Sequence, residues 1–376
     1  MQHELTDPGA ISLQYDVLRH RFIAEVSKIV VELGKVSGRN VPLVQATCLN
    51  IDTLVREYQV FLAQMTAVRV QHEAQCADHS EVIAVRRIWG EVTARTGLFR
   101  NELNRWPEYR ALVTDQLKPK RQKLYTPDDK LPKIAQSQIL ASDDIFDRLH
   151  AVLNPAPQSD AAKAHACFAD VALPNSDFHR HLHAAYRLVL SQRRSGPIRF
   201  LDVGCGGGLK VFSALRYFDE AHGFDYDPAF VAFGERLLEK EGASQATVFE
   251  QDALTFDRYD AFDVIYFYRP ISDDDLLFEM EKRINALARP GTVLIAPYRV
   301  FGSRHDMIGC GRVDGGLYLS QTSQRQADAW RRKAELTGTY IARRDDSLPG
   351  TIWAPLLDAS RQNGCDLAQF HAKQQY

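Results

Sequence analysis

Helical periodicity dominates the first third of the chain. Apolar residues recur there at steps of three and four, the spacing of one buried face of an α-helix. The pattern predicts a first helix that ends near Gly34 and a second that begins after Pro42. The most regular seam, on the second helix, consists of Val44, Cys48, Ile51, Val55, Tyr58, Leu62 and Met65. With a third helix capped by Ser80, residues 1–117 are predicted to form an antiparallel, all-α helical bundle.

Short apolar runs separated by glycines and polar turns begin near residue 198. Such runs predict buried strands when turn signals bound them. Five of them are predicted as strands, at 198–203, 221–226, 246–252, 262–268 and 289–297. Ser272 is expected to cap a helix at 273–288, since three acids in its first turn suit the helix dipole.

Two weaker patterns complete the predicted sheet. Residues 316–320 and 339–343 are predicted as the sixth and seventh strands, with a basic helix at 324–336 between them. Alternating strands and helices indicate an α/β fold with a seven-stranded, Rossmann-like sheet. We expect the bundle to be followed by a connector with short helices at 118–175 and by the α/β domain at 176–376.

Composition places the chain among globular proteins. It has 376 residues, of which 45% are hydrophobic and 25% charged, and its net charge of −2 gives no general attraction to nucleic acid. There is no run of 18 apolar residues, and the N-terminus lacks a basic then apolar signal pattern. Six singly placed cysteines suit a reducing compartment, so we expect a cytoplasmic protein with free thiols.

A glycine-rich turn follows the first predicted strand. Residues 199–209 read R-F-L-D-V-G-C-G-G-G-L, a strand that ends in Asp202 and leads into the turn. A dinucleotide fingerprint would need glycine where Leu209 stands, and a phosphate loop would need a hydroxyl residue where Val211 stands. An acid at the strand end favours a cationic ligand over a phosphate. The spacing therefore argues against both phosphate-binding classes.

The turn resembles motif I of the class I S-adenosylmethionine-dependent methyltransferases. Three further landmarks follow at that family's spacing: Asp225 after the second strand, Asp252 after the third, and an aromatic fourth strand. The resemblance covers residues 198–297. Singly, Asp225 or Asp252 could equally be a helix cap or a solvated turn acid. Together they predict a methyltransferase domain with S-adenosylmethionine as its cofactor.

The resemblance assigns cofactor-binding roles to individual residues. Asp225 is placed to accept the two ribose hydroxyls, and Asp252 is placed beside the adenine amine. Glycine matters in the turn because its backbone adopts positive φ and approaches a ligand closely. The cofactor-binding residues expected from this resemblance are Asp202, Gly204, Cys205, Gly206, Gly208, Asp225, Tyr226, Asp252, Ala253 and Phe267. Cys205 is interpreted as a small side chain in the loop.

The methyl acceptor is expected beyond the fourth strand. Tyr268 and Arg269 are the candidate catalytic residues there, with an aromatic wall behind the donor as the alternative. Families that methylate exocyclic amines or glutamine carry N/D-P-P-Y at this place, and this chain reads Y-F-Y-R-P-I, which argues against those acceptors. A small molecule or a protein is favoured over nucleic acid. Further candidates to face the acceptor are Arg299, Arg304, His305 and Asp306.

Other functions remain open at this stage. A non-catalytic protein could retain the fold and S-adenosylmethionine binding, and act through its helical domain as an interaction module. An oxidoreductase is the third candidate. The N-terminal helices are expected to cover the acceptor side, to form a homodimer or to bind a protein partner.

Two clusters contain histidines, a residue type that binds metals, but we do not favour a metal site at either of them. His72, Cys76 and His79 continue the helical seam, but no second Cys/His pair follows to complete a tetrahedron. His179 and His183 share one helix face, which is interpreted as part of an amphipathic helix. A basic cluster formed by Lys118, Lys120, Arg121 and Lys123 is interpreted as a solvated connector.

Overall fold

Two units make up the chain in the computed structural model, which describes residues 7–35, 38–125, 132–153, 157–170, 173–342 and 350–367. The first unit is Met1–Pro119 together with Arg344–Tyr376, and the second is Lys120–Arg343. This division differs from the expected boundaries. Most of the expected connector lies in the second unit, and the C-terminal segment lies in the first.

Thirteen α-helices lie within the described residues. They are α1 Pro8–Gly34, α2 Val41–Ala74, α3 His79–Asn104, α4 Trp106–Leu117, α5 Lys133–Leu153, α6 Asp160–Ala164, α7 Asn175–Gln192, α8 Leu209–Ala214, α9 Pro228–Lys240, α10 Asp274–Leu287, α11 Arg299–Ile308, α12 Gln324–Ala334 and α13 Ala354–Arg361. No helix in the described ranges is long and apolar enough to cross a membrane.

The helices of the first unit share one apolar core. The seam of α2 is buried much as predicted, although Leu54 and Phe61 are more deeply buried than the neighbouring Val55 and Leu62. Helix α3 begins one residue before Ser80, because Asp78 accepts hydrogen bonds from the first backbone amides and acts as the cap in its place.

Trp353 explains why the C-terminal segment belongs to the helical unit. Its indole ring stacks on the rings of Trp106 and Tyr109, with centroids 5.2 and 5.3 Å apart. Its Nε1 donates a hydrogen bond to the carbonyl of Glu102. A large ring of this kind is stabilised by burial, and Trp353 is only 1% exposed.

The second unit contains a seven-stranded mixed sheet. Its strands are β1 Arg199–Val203, β2 Glu220–Asp225, β3 Ala246–Glu250, β4 Val264–Phe267, β5 Val293–Ile295, β6 Gly311–Asp314 and β7 Leu317–Leu319. The spatial order is β3-β2-β1-β4-β5-β7-β6, with β1 to β5 parallel and β7 antiparallel to β5. The expected α/β class and Rossmann-like sheet are confirmed.

The antiparallel edge differs from the prediction. The predicted sixth strand is β7, and the strand before it, β6, was missed. The seventh strand predicted at 339–343 is wrong for the described residues 339–342, which form no strand, and Arg343 lies outside the described residues. Helix α12 therefore follows the β6–β7 hairpin instead of separating its strands.

Apolar layers cover both faces of the sheet. Because side chains alternate along a strand, neighbouring residues of β1 and β4 enter different layers. Phe200 and Tyr266 face the layer that contains α7 and α8. Leu201 and Phe267 face the layer that contains α10 and α11. This alternation decides which residues can reach a ligand at the end of the sheet.

Candidate active site

A cavity of about 350 Å³ lies at the carboxyl ends of the parallel strands. In open α/β sheets, ligands bind at this end, where the strand order reverses. Ten of the twelve residues predicted for the site line the cavity: Asp202, Gly204, Cys205, Gly206, Asp225, Tyr226, Asp252, Ala253, Tyr268 and Arg269. The volume lies within the range of small-molecule sites, roughly 300–1,000 Å³.

The glycine loop after β1 is fixed by close packing. Gly204 has φ of +76°, and a Cβ on it would lie 2.5 Å from the Pro270 side chain. Gly206 has φ of +52°, and a Cβ on it would lie 2.2 Å from the Asp170 carboxyl carbon. A larger residue at either position would displace the side chain of Pro270 or of Asp170. These glycines therefore let two other segments approach the loop closely.

The carboxyl group of Asp202 lies in the cavity wall and has no hydrogen-bond partner among the described residues. It is 2% exposed, and no side chain or amide of the described residues forms a hydrogen bond to its carboxylate. Burial raises the pKa of this carboxyl to about 8. A buried carboxylate of this kind would gain from a positively charged ligand group.

The side chain of Asp225 connects the end of β2 to the glycine loop through a hydrogen bond. Its Oδ2 accepts a hydrogen bond from the amide of Gly206 at 2.9 Å, and its Oδ1 accepts one from the amide of Asp227 at 2.9 Å. Burial raises the pKa of Asp225 to about 6, while these two amide bonds oppose that shift. The carboxylate therefore faces the cavity in a fixed orientation.

His165, which no sequence motif singles out, contacts both Tyr226 and Asp252. The imidazole of His165 stacks on the Tyr226 ring, with centroids 4.1 Å apart and planes at 9°. Its Nε2 lies 3.2 Å from Oδ2 of Asp252. This nitrogen is buried without an aligned hydrogen bond. The other carboxylate oxygen of Asp252, Oδ1, accepts a hydrogen bond from the amide of Leu254.

Residues 157–170, here called the strap, cover the cavity. Ser159 donates its amide to Asp227 at one end of the strap. Near the other end, the amide of Phe168 donates to the carbonyl of Pro270, and Ser272 donates to the carbonyl of Ala166. The strap thus runs from the loop after β2 to the loop after β4. Periodicity gave no signal for it, because its backbone is mostly irregular.

Asp170 joins the strap to the glycine loop. Its Oδ2 accepts a hydrogen bond from the amide of Gly207 at 2.8 Å, and its Oδ1 lies 3.2 Å from Nε2 of His150 on α5. Lys210, in the first turn of α8, also lines the cavity. Burial lowers the pKa of Lys210 to about 8. His150, Asp170 and Lys210 were all missed, since each stands outside a recognisable motif.

Two predicted cofactor residues lie away from the cavity lining. Phe267 is fully buried on the opposite face of β4, where its ring packs against Phe301, and Tyr266 lines the cavity in its place. Strand alternation accounts for the placement of Phe267 and Tyr266 on opposite faces. Gly208 caps α8 and packs against Val248 and Gly234.

Tyr268, Arg269 and Phe168 form the exposed edge of the cavity. Tyr268 is 42% exposed and Phe168 is 45% exposed. Arg269 adopts φ of +46°, unusual for a residue with a side chain, and its guanidinium lies over the Phe168 ring at 5.6 Å. Its Nη2 donates to Asp274. Such strain often accompanies functional sites.

The residues after β5 do not reach this cavity. Arg304 forms an ion pair with the buried Glu281, and His305 contacts the carbonyl of Cys310. Neither lines the cavity, and the same holds for Arg299 and Asp306. The expectation that these four residues face the acceptor therefore does not hold for this cavity.

The histidine clusters and the basic segment have other contacts. No group of three possible metal ligands occurs within the described ranges. His179 and His181 lie within hydrogen-bond distance of Tyr217 and Tyr125, and burial lowers the pKa of each imidazole to about 4. Arg121 forms an ion pair with Glu335 inside the second unit, so this residue of the basic segment is not only a solvated charge.

Comparisons with known proteins agree with this architecture. The family model described as a methyltransferase domain matches residues 200–291. No curated protein matches the sequence. These matched residues run from β1 to just before β5 and include Asp202, Asp225 and Asp252 and the glycines of the cavity, but not Asp170.

Several solved structures are similar to part of the chain. A sugar N-methyltransferase from Streptoalloteichus is 24% identical, with 35% of this chain and 55% of that chain covered and a TM-score of 0.27. An amino pentose methyltransferase from Micromonospora echinaspora is 19% identical, with 35% and 59% covered and a TM-score of 0.26. An RNA methyltransferase from Salinibacter ruber is 17% identical, with 40% and 91% covered and a TM-score of 0.29. The match spans about half of the first of these chains, and at such scores none of them indicates an acceptor.

The matched family accounts for the cavity's polar groups. An unpartnered acid, a glycine loop and two further acids suit the amino-acid, sulfonium, ribose and adenine parts of one ligand, so the residues present fit S-adenosylmethionine. Residues 200–291 of the second unit therefore belong to a methyltransferase domain of the class I type, whose cofactor is S-adenosylmethionine.

Proposed function

We propose that this protein is an S-adenosylmethionine-dependent methyltransferase. The observation that carries the proposal is the meeting of Asp202, Asp225 and Asp252 at one cavity, beside a glycine loop whose family model is a methyltransferase domain. The alternative of a non-catalytic cofactor-binding protein is not favoured.

The chain's residues would act mainly by positioning and by excluding water. When bound, S-adenosylmethionine supplies an electrophilic methyl group. Asp202 holds the cationic end of the ligand, and Asp225 accepts from the ribose hydroxyls. The strap covers the cavity, so an acceptor must approach along a restricted path. Holding two reactants about 3–3.5 Å apart accounts for much of the rate of such a displacement.

The acceptor is proposed to enter beside Tyr268, Arg269 and Phe168, the exposed edge of the cavity. We propose a small molecule or a protein side chain as the acceptor, in preference to nucleic acid. The four cavity acids Asp170, Asp202, Asp225 and Asp252 oppose a phosphate backbone, and the chain's net charge of −2 adds no attraction. Tyr268 and Arg269 would orient the acceptor.

Transfer of a labelled methyl group tests the proposed activity. The full chain is incubated with methyl-labelled S-adenosylmethionine and cell extract, and the label is then followed into small molecules, protein and RNA. We expect label in small molecules or protein. Asp225→Ala serves as the donor-site variant and Glu250→Ala, at an exposed position on β3, as its matched control. Label in RNA would contradict the acceptor class, and no transfer with intact cofactor binding would contradict the activity.

The first unit is proposed to be an interaction module. Its helices carry exposed apolar side chains, including Leu13 on α1, Val60 on α2 and Leu98 on α3. Exposed apolar side chains favour contact with another protein or a second copy. Sedimentation of the full chain, alone and from a native extract, should show a dimer or a hetero-complex. A monomer in both would contradict this role.

A further inference from the structure

Two side chains of opposite charge face the same cavity without pairing with each other. Asp202 is the penultimate residue of β1, and Lys210 lies in the first turn of α8, eight residues later in the sequence. Both line the cavity. Within the described part of the chain, Lys210 forms no ion pair, and its Nζ donates only to the carbonyl of Leu173, at 3.3 Å.

The environment of Lys210 is mostly apolar. Its Nζ lies 4.7 Å from the ring centroid of Phe178 and 5.7 Å from that of Phe146. Burial shifts the pKa values of Lys210 and Asp202 in opposite directions, down for the amine and up for the acid, so that each disfavours its own charge. Each group would therefore gain from a ligand of opposite charge.

Four acids face Lys210 from three elements. Asp202 comes from β1, Asp170 from the strap, and Asp143 and Asp147 from α5. Asp143 already accepts from the amide and hydroxyl of Ser176. Asp170 accepts from the amide of Gly207 and lies beside His150. Asp147 is exposed on α5. Among the described acids that line the cavity, Asp202 alone accepts no such hydrogen bond, and a ligand ammonium on Asp202 would leave Lys210 available to a second ligand group.

We propose that Asp202 and Lys210 form a clamp for an α-amino acid, in which Lys210 binds the α-carboxylate of the cofactor's methionyl group. This inference rests on the proposed function, since it assigns a subsite within the same cavity. The methionyl end of the cofactor carries an ammonium and a carboxylate on one carbon. These two groups match the acid of Asp202 and the amine of Lys210, which lie on one wall of the cavity. Lys210 then sets how the methionyl end is held. The alternative is that Lys210 only neutralises the negative charge of the acids that line the cavity.

Truncated ligands separate these two roles. Binding of three ligands to the full chain is measured by calorimetry: S-adenosylmethionine, decarboxylated S-adenosylmethionine and methylthioadenosine. The second lacks only the carboxylate, and the third lacks the whole amino-acid end. The variants are Lys210→Met, Lys210→Arg and, as a matched control for loss of one exposed lysine, Lys240→Met. Thermal unfolding of each variant checks its fold.

Lys210→Met is expected to weaken S-adenosylmethionine binding about tenfold to a hundredfold, the range for a hydrogen bond to a charged group. It should leave the other two ligands unchanged. Lys210→Arg should restore most of the lost affinity, and Lys240→Met should change nothing. An equal loss for all three ligands would assign Lys210 to neutralisation and overturn the proposal, as would no loss at all.

The wild-type protein separates this inference from the proposed function. If it binds none of the three ligands, the proposed function fails together with the clamp. If it binds all three and Lys210→Met does not discriminate among them, only the clamp fails. A second measurement is the pH above which the affinity for S-adenosylmethionine begins to fall. Lys210 has a lowered pKa, so affinity should fall above about pH 8, and this fall should be reduced in Lys210→Arg.

Discussion

The imidazole of His165 lies parallel to the phenol ring of Tyr226, with ring centroids 4.1 Å apart. Its Nε2 is also 3.2 Å from the carboxylate of Asp252. Family resemblance places Asp252 beside the adenine amine and includes Tyr226 among the expected cofactor-binding residues. One side chain of the strap thus engages both of them, and we expect adenine to compete with the imidazole.

Replacement of His165 tests this competition. His165→Ala removes a ring whose buried Nε2 has no aligned partner, so little stabilisation is lost. The expected result is a severalfold gain in S-adenosylmethionine affinity with faster association, measured by calorimetry and stopped-flow fluorescence. Weaker binding in the variant would show instead that His165 forms part of the wall around the bound ligand.

Asp225→Ala should affect both binding and stability. The variant removes the proposed ribose acceptor and also leaves the amides of Gly206 and Asp227 without their carboxylate partner. We expect weaker cofactor binding and a loss of about 1–3 kcal/mol in the free energy of unfolding. Calorimetry and urea unfolding measure the two effects. Glu250→Ala should change neither, and unchanged affinity in Asp225→Ala would disprove the assignment.

Cofactor binding should depend on the ionisation of Asp202. Burial raises the pKa of Asp202 to about 8, so at pH 7 the carboxyl is mostly protonated, whereas an ammonium ligand requires the carboxylate. The affinity should therefore rise from pH 6 to pH 8, with proton release at pH 7. Calorimetry in buffers of different ionisation enthalpy measures that release. Asp202→Asn should abolish it, and pH-independent affinity of the wild type would count against this role.

The same shift has a consequence for stability. The folded-state pKa of Asp202 lies above the unfolded value of 3.8, so the folded state binds more protons and loses stability as the pH rises from about 4 to about 8. Asp202→Asn should therefore raise the melting temperature of the unliganded protein at pH 8 and change it little at about pH 4. A lower melting temperature at pH 8 would contradict burial as the cause of the shift.

The sheet and the donor side of the site were predictable because they have strong local patterns. Strands β1 to β4 are short apolar runs, and Asp202, Asp225 and Asp252 each follow or close one of them. Two errors arose where a pattern was weak. Strand β6 has only Val313 as an apolar residue, whereas residues 339–342 look strand-like but find no sheet neighbour.

The cover of the cavity was not predictable from periodicity. Residues of the strap are fixed by contacts distant in the sequence, such as Asp170 to Gly207 and Ser159 to Asp227. A proline-rich segment without apolar periodicity reads as a linker, although its polar side chains seal a site. Phe267 shows a different limit of prediction. Its strand was predicted from the sequence, but the face of the sheet on which its side chain lies was not, because that depends on the neighbouring helices.

Binding of S-adenosylmethionine to the full chain tests the central claim most directly. Calorimetry at pH 8 should show one molecule bound per chain, with binding weakened by both Asp202→Asn and Asp225→Ala and unaffected by Glu250→Ala. Absence of binding by the wild type at several hundred micromolar ligand would contradict the assignment of this cavity to the methyl donor.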